Sequence, residues 1–173
     1  VAVFIFVGMF YDPEWRALLH VERSFFGVYR VSSEGGRGGP YHTLTHGTTL
    51  HGRQSLHPSH RREPLSYYHP SGPIGQLFDT FTGDRPTLTR VAVIGLGTGS
   101  MACYASPGQA WTFYEIDPLV QRIATNPAYF TFLRDCLEHV EIVLGDARLS
   151  MRNAPDQQYD LIIIDAFSSD SIP

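Results

Sequence analysis

Hydrophobic residues follow two different patterns in the two halves of the chain. In residues 21–54, β-forming residues are dense and are interrupted by glycine-rich stretches, of which the longest is 32–40. This pattern predicts short strands joined by turns. From residue 89 onward, short apolar runs alternate with segments that open on Asp-Pro or Asn-Pro, a favoured start for a helix. Strands that alternate with helices predict a parallel sheet with right-handed crossovers.

The second half contains four candidate strands, at Arg90–Ile94, Trp111–Ile116, Val140–Leu144 and Leu161–Ile164. Short helices are predicted at Ser100–Ala105, after Asp117-Pro118, and from Asn126-Pro127 to about Cys136. We therefore expect an α/β fold, with a Rossmann-like, methyltransferase-type parallel sheet preceded by a small N-terminal β-domain. The expected division places a β-rich segment and substrate loop at 1–75 and a nucleoside-binding domain at 76–173.

An apolar segment lies at or near each end of the sequence. The first ten residues carry no charge and fit either a buried strand or the last half of a membrane helix. Their length favours the strand. At the other end, the strand leading to Asp165 is followed by only eight residues, although a parallel strand is normally buried inside its sheet. We therefore expect the α/β domain to be incomplete at the C-terminus.

Composition narrows the class of protein. With 43% hydrophobic residues the chain can form a core, which excludes wholesale disorder. Thirteen Lys and Arg against 17 Asp and Glu give no basis for non-specific nucleic-acid binding. Cys103 and Cys136 cannot form a disulfide framework, and we predict two ordinary thiols in a reducing, cytoplasmic setting.

The chemistry-bearing residues follow the predicted parallel strands, where ligands of open α/β sheets bind. The first strand is followed by Gly95-Leu96-Gly97-Thr98-Gly99. These glycines permit a tight turn and close approach of a ligand to the backbone. Ser100 stands where the dinucleotide fingerprint has its third glycine, which favours a nucleoside without a pyrophosphate.

A carboxylate lies at or next to the end of each of the other three strands. Glu115 is placed to accept hydrogen bonds from a ribose diol, whereas Asp117 is expected to be a helix N-cap. Asp146 either accepts the adenine amino group, which we favour, or caps the next helix. Asp165 follows three isoleucines at the end of a strand, where burial of an unpaired charge would cost free energy.

Taken together, the ordered motifs resemble the spermidine synthase (polyamine aminopropyltransferase) family, and most closely its divergent spermidine-synthase-like branch. The resemblance runs from about Arg23 to the C-terminus. It rests on these segments, in order: His51-Gly52-Arg53-Gln54, Pro64-Leu65-Ser66-Tyr67-Tyr68-His69, Gly95 to Gly99, Tyr114-Glu115-Ile116-Asp117, Gly145-Asp146-Ala147, and Tyr159-Asp160 leading to Asp165. Some members of that branch are fused to membrane segments.

The resemblance implies a role for each matching residue. In the donor site, Gln54 would contact the nucleoside from the β-domain, Glu115 would hold the ribose hydroxyls and Asp146 the adenine, beside the loop glycines Gly95, Gly97 and Gly99. Asp165 matches the first acid of the family's Asp-Ser-Ser-Asp-Pro motif, which orients and helps to deprotonate the attacking amine. Tyr67 would sit over the active site, and Tyr68 and Asp170 would complete the substrate site.

Three positions depart from the family pattern. Thr98 stands where the family's glycine loop has an acid that binds the ligand's amine. The second motif acid falls on Ser168, or on Asp170 with a two-residue insertion. Tyr68 replaces a ligand-binding glutamine. Each change removes a feature suited to a cationic amine, so nucleoside binding is better supported than aminopropyl transfer.

The sequence therefore predicts a transferase that moves an aminopropyl group from decarboxylated S-adenosylmethionine to a small-molecule amine. The alternatives are an S-adenosylmethionine-dependent methyltransferase and a non-catalytic nucleoside-binding module attached to a membrane domain. We expect a homo-oligomer without nucleic-acid partners. We expect no metal, because the histidine pairs His57/His60 and His42/His46 lack an acidic or cysteine partner at ligand spacing.

Overall fold

The computed structural model describes residues 16–36, 38–81, 88–152, 154–156 and 158–166. The apolar segment at 1–10, with its two interpretations, lies outside the described residues. The same holds for Asp170 and Ser168. Within the described part of the chain, no helix is both long enough and apolar enough to cross a membrane.

The N-terminal half forms a four-stranded antiparallel sheet in which each strand pairs with the next along the chain. Its strands are β1 (Arg16–Ser24), β2 (Gly27–Glu34), β3 (Tyr41–His46) and β4 (Thr49–Ser55). β1 begins before the β-rich region predicted at 21–54. Its residues are mostly exposed, so its position comes from pairing with β2 rather than from burial of an apolar face.

The second half forms a parallel sheet of the predicted kind. Its strands are β5 (Arg90–Ile94), β6 (Ala110–Glu115), β7 (Glu141–Leu144) and β8 (Leu161–Ile164), in the spatial order β7-β6-β5-β8. The predicted α/β class with a small β-sheet ahead of it is confirmed. β8 pairs in parallel with β5, as expected for a doubly wound sheet.

Four short α-helices accompany the sheets: α1 (Pro73–Asp79), α2 (Pro118–Thr125), α3 (Phe132–Cys136) and α4 (Ala147–Arg152). Two 3₁₀ helices span Ser66–Tyr68 and Ser100–Tyr104. The predicted domain boundary at 75/76 falls within α1, and the division itself stays a prediction.

The helix predicted from Asn126 is shorter than expected. Its first residues form a turn in which the Asn126 side chain accepts a hydrogen bond from the Ala128 amide, at 3.0 Å. Only Phe132–Cys136 is α-helical. An asparagine that bonds its own backbone two residues on favours a turn as readily as a helix cap, which explains the difference.

The two sheets share one hydrophobic core. Tyr29, Val31 and Leu44 contribute the N-terminal face, while Val93 and Trp111 belong to the parallel sheet. Two polar links reinforce this contact. Ser24 donates a hydrogen bond to Asp117 at the start of α2, and Gln54 on β4 bonds to Thr131 just before α3.

The prediction of two free thiols is wrong. Cys103, in the 3₁₀ helix after the glycine loop, is disulfide-bonded to Cys136 at the end of α3. Their Cα atoms are 4.8 Å apart, within the range that a disulfide requires. The two cysteines are 33 residues apart in sequence, and only the packing of α3 against the 3₁₀ helix brings them together.

Candidate active site

A cavity of about 670 Å³ lies between the two sheets, at the carboxyl ends of the parallel strands. This volume is typical of small-molecule sites, which measure roughly 300–1,000 Å³. Each of the four parallel strands contributes to its lining by its last residues or by the residues that follow. The lining residues argued below are Gly95, Gly97, Glu115, Asp146 and Asp165 from the parallel sheet, with His46, His51 and Tyr68 from the N-terminal half.

Two of the three glycines in the loop after β5 line the cavity, as predicted for a loop that a ligand approaches closely. Gly95 and Gly97 line the cavity and have φ angles of 101° and 54°, in the left-handed region. A Cβ on Gly95 would lie 2.4 Å from the Asp165 carbonyl oxygen, so a side chain does not fit there. Gly99 (φ 80°) instead faces Leu133, whose side chain would lie 2.7 Å from an added Cβ. Its requirement for glycine is therefore one of packing.

Glu115 is buried at the end of β6 and holds the glycine loop in place. One carboxylate oxygen accepts the Leu96 amide at 3.0 Å, and the other accepts the Asp117 amide at 2.9 Å. Burial raises the pKa of Glu115, while these backbone hydrogen bonds oppose the rise. Each carboxylate oxygen has further lone-pair capacity, so a ribose diol can bind in addition.

Asp117 and Asp146 both cap helices. Asp117 accepts the Leu119 amide at 2.8 Å at the start of α2, which confirms the predicted N-cap. Asp146 accepts the Leu149 amide at 3.1 Å near the start of α4, yet it is exposed and lines the cavity. Its predicted contact with adenine stays a prediction.

Asp165 and Tyr68 both line the cavity, and their side chains are in direct contact. The Tyr68 hydroxyl donates a hydrogen bond to the Asp165 carboxylate. Burial raises the pKa of Asp165 to about 6, against the lowering effect of this bond. Burial, followed by the charge of Asp165, raises the pKa of Tyr68, which keeps the phenol protonated.

Tyr67, predicted as the tyrosine over the active site, does not line the cavity. Its ring centroid is 4.1 Å from that of Tyr68, and 42% of the residue is exposed. The carboxylate of Asp165 is bonded by Tyr68, the residue assigned to substrate binding. The structure thus places Tyr68 against the predicted catalytic acid, Asp165, and Tyr67 against Tyr68.

Comparison with known proteins finds similarity to aminopropyltransferases. An alignment of 94 residues shows 36% identity to the polyamine aminopropyltransferase of Vibrio vulnificus (strain CMCP6). It covers 51% of this chain and 30% of that protein. The crystal structure of spermidine synthase from Thermotoga maritima shares the fold, with a TM-score of 0.58 at 16% identity. The chain is therefore similar to an aminopropyltransferase over about half its length and has the fold of spermidine synthases. No protein-family model matches it.

A second solved structure shares this fold to the same extent. It is a spermidine synthase in complex with the transition-state analogue AdoDATO, with a TM-score of 0.58 and 16% identity. The two matches cover 86% and 87% of this chain and 46% of each neighbour. The chain thus spans about half the length of the solved structures that it matches.

Gln54 does not line the cavity. Its side-chain amide donates to the Arg61 carbonyl at 2.8 Å and to the Thr131 hydroxyl at 2.9 Å. Its oxygen accepts the Thr131 amide at 2.9 Å. The residue is 2% exposed and joins β4 to the segment before α3. The observed bonds therefore give Gln54 a structural role, and its contact with a nucleoside remains untested.

Thr98 also faces away from the cavity. It is buried, and a Cβ on Gly52 would lie 2.5 Å from its hydroxyl oxygen. The loop position that carries an acid in the family thus packs against β4 in this protein. Among the described residues, no cluster of three or more His, Cys, Asp or Glu side chains could hold a metal ion.

His51 and His46 line the cavity and were not singled out from the sequence as ligand contacts. Regular alternation along a strand does not locate the His51 side chain, because the pairing register of β4 shifts at that residue. The segment His51-Gly52-Arg53-Gln54 therefore does not show from its sequence alone which of its side chains faces a ligand. Which side faces the ligand depends on how the two sheets pack.

Proposed function

We propose that this chain carries the donor site and part of the acceptor site of an aminopropyltransferase. The donor would be decarboxylated S-adenosylmethionine and the acceptor an amine. One observation carries the proposal: a single cavity is bordered by the glycine loop and by Glu115, Asp146 and Asp165 at successive strand ends. The spermidine synthase in complex with AdoDATO supports it, because that protein has the same fold.

In this proposal the nucleoside lies along the carboxyl edge of the parallel sheet. Gly95 and Gly97 allow it to approach the backbone. Glu115 accepts the ribose hydroxyls through lone pairs that its bonds to the Leu96 and Asp117 amides leave available. Asp146 accepts the adenine amino group.

Asp165 then receives the acceptor amine. An alkylamine has a basicity near that of lysine, so it arrives as an ammonium ion and is attracted to the carboxylate. Its proton passes to Asp165 and on to solvent. The free nitrogen lone pair forms the new N–C bond at the carbon next to the sulfonium, while the C–S electron pair moves onto sulfur and leaves a neutral thioether. Tyr68 orients Asp165 through its hydroxyl.

Methyl transfer from S-adenosylmethionine is the second candidate, and the position of Thr98 favours it. Thr98 is buried against Gly52, so this loop offers no acid for the amine of a decarboxylated donor. A methyl donor uses the same ribose and adenine contacts. The two reactions therefore differ in the transferred group and not in the nucleoside site.

Mass spectrometry of the products separates the two functions. The full chain is incubated with an amine panel and either donor, and the acceptors are analysed for added aminopropyl or methyl groups. The proposal predicts aminopropylated amine and methylthioadenosine with the decarboxylated donor only. Methylated acceptor with S-adenosylmethionine, without aminopropyl transfer, would establish the second candidate.

A further inference from the structure

The two-residue turn that joins β1 to β2, Phe25-Phe26, is hydrogen-bonded on both sides. The Ser24 hydroxyl before it donates a hydrogen bond to the Asp117 carboxylate at the start of α2. The same hydroxyl accepts the Phe26 amide at 3.0 Å. The Phe26 carbonyl accepts a hydrogen bond from His46 Nε2 at 2.7 Å. These bonds fix the backbone of the turn against the parallel-sheet half, at the cavity that Phe25 and Phe26 line.

Phe25 lines the cavity and is nevertheless 87% exposed. The ring of Phe26 meets the Phe25 ring at close to a right angle, with the two centroids 5.3 Å apart. Most of the Phe25 side chain is thus in contact with solvent, on a backbone that is held in place. Such a side chain gains transfer free energy when an apolar surface covers it, and a ligand in the cavity can supply that surface.

Ile116 faces the same end of the cavity from the parallel sheet. It stands between Glu115 and Asp117, lines the cavity and is 48% exposed. Phe25 and Ile116 are each one residue away from the hydrogen bond that joins Ser24 to Asp117. The chain connections therefore bring the two residues to one end of the cavity, with one apolar side chain from each half of the chain.

The strand order places this end of the cavity away from Asp165. The strands lie in the order β7-β6-β5-β8, and Asp165 follows β8, whereas Glu115 and Ile116 belong to the end of β6. Neighbouring strands are about 4.8 Å apart, so two spacings separate these ends by about 10 Å. Asp146 follows β7, on the far side of β6. A nucleoside whose ribose binds Glu115 and whose reacting carbon faces Asp165 therefore extends its base toward Ile116 and Asp146.

We propose that Phe25 stacks on the nucleobase of the donor, with Ile116 against the opposite face, and so determines part of the affinity for a nucleoside. This inference rests on the proposed function for the place of the ribose. Aromatic side chains stack on the flat face of any base, because the contact does not depend on the hydrogen-bonding groups at the edge of the base. Phe25 thus supplies affinity for a flat ring, while the recognition of the adenine amino group is left to Asp146.

Calorimetry of methylthioadenosine binding to the full chain tests the stacking contact. Phe25→Ala should weaken binding about 5- to 100-fold, as for the loss of one base–aromatic stack. Phe25→Trp keeps a flat ring and should retain the affinity. Phe25→Leu keeps apolar volume without a flat ring and should lose part of it. This order separates a stacking contact from a merely apolar one.

Leu18→Ala is the matched control. Leu18 lies on β1, is 60% exposed and does not line the cavity. Its replacement should change nucleoside affinity by no more than about two-fold, as is usual for an exposed position. Urea denaturation should give Phe25→Ala a free energy of unfolding close to that of wild type, because the side chain is exposed in the folded protein.

NMR of the wild-type complex tests the geometry without any substitution. We expect nuclear Overhauser effects from the adenine H2 and H8 protons to the ring of Phe25 and to the methyl groups of Ile116. If Phe25→Ala does not fold, this measurement decides alone.

Two results would overturn the inference while the donor site stands: wild-type methylthioadenosine affinity in folded Phe25→Ala, or adenine contacts with Ile116 and none with Phe25. Failure of the wild-type chain to bind methylthioadenosine would instead refute the proposed donor site, and the place of the base with it. The two failures are distinguishable because the first requires a wild-type protein that binds the nucleoside.

Discussion

Replacement of Glu115 by Gln tests the donor site because the change keeps the side-chain volume and removes the charge. The carboxylate accepts two backbone amides, from Leu96 and Asp117, at 3.0 and 2.9 Å. An amide side chain can accept only one of them and turns its NH₂ group toward the other. Loss of one hydrogen bond to a charged group costs about 1.5–3 kcal/mol of unfolding free energy, and relief of carboxylate desolvation offsets part of this cost. Ribose loses a charged acceptor as well, so nucleoside affinity should fall about 10- to 100-fold.

The assay pairs chemical denaturation with calorimetry of methylthioadenosine binding. Glu141→Gln is the matched control, since Glu141 begins the neighbouring strand β7, is exposed and accepts only the Thr112 hydroxyl among the hydrogen bonds described for it. It changes the net charge equally and should leave nucleoside affinity within two-fold of wild type. An unchanged affinity in a folded Glu115→Gln protein would refute the assignment of ribose binding to Glu115.

Three further outcomes follow from the same contacts. Transfer needs ionised Asp165, so the transfer rate should fall as the pH drops through about 6. Tyr68→Phe removes the hydrogen bond that lowers the pKa of Asp165, so the midpoint of the pH–rate profile should move to higher pH. Because burial raises the pKa of Asp165 in the folded protein, the unfolding free energy should fall as the pH rises from the ordinary carboxylate range through about 6. Gln54→Leu leaves the buried hydrogen-bond partners of Gln54 unpaired, so it should reduce the unfolding free energy, measured in urea, by about 1–3 kcal/mol and leave nucleoside affinity unchanged. Unchanged stability with weaker nucleoside binding would instead show that Gln54 contacts the ligand. Reduction of the Cys103–Cys136 disulfide should lower the unfolding free energy by about 3–4 kcal/mol in the chain-entropy model. Denaturation with and without reductant measures this difference, and equal stability in the two conditions would show that the disulfide does not form.

The parallel sheet was largely predictable because its signals are local. The observed bounds of β5 and β8 are those predicted from runs of β-branched residues. Asp117-Pro118 marked the start of α2 because the cap needs only the aspartate and the following backbone amides. Glu115 and Asp165 could be placed at the cavity because parallel strands carry their carboxyl ends to one edge of the sheet.

Features that depend on packing between distant segments could not be predicted. The sequence of β1 is mixed and its residues are mainly exposed, so only its pairing partner makes it a strand. The Cys103–Cys136 bond depends on where α3 packs. His51 reaches the cavity through a bulge whose register is set by β3, and Tyr68 rather than Tyr67 reaches Asp165 because the 3₁₀ turn directs it inward.

The central claim is that Asp165, at the end of β8, takes the proton of an amine that attacks an adenosyl donor bound along the same strand edge. Single-turnover transfer from decarboxylated S-adenosylmethionine to an amine acceptor, compared among wild type, Asp165→Asn and the exposed control Asp156→Asn, tests this most directly. The account predicts a rate about 10²–10⁴-fold lower for Asp165→Asn, with nucleoside affinity retained and Asp156→Asn unchanged. Equal transfer rates in Asp165→Asn and wild type would contradict it.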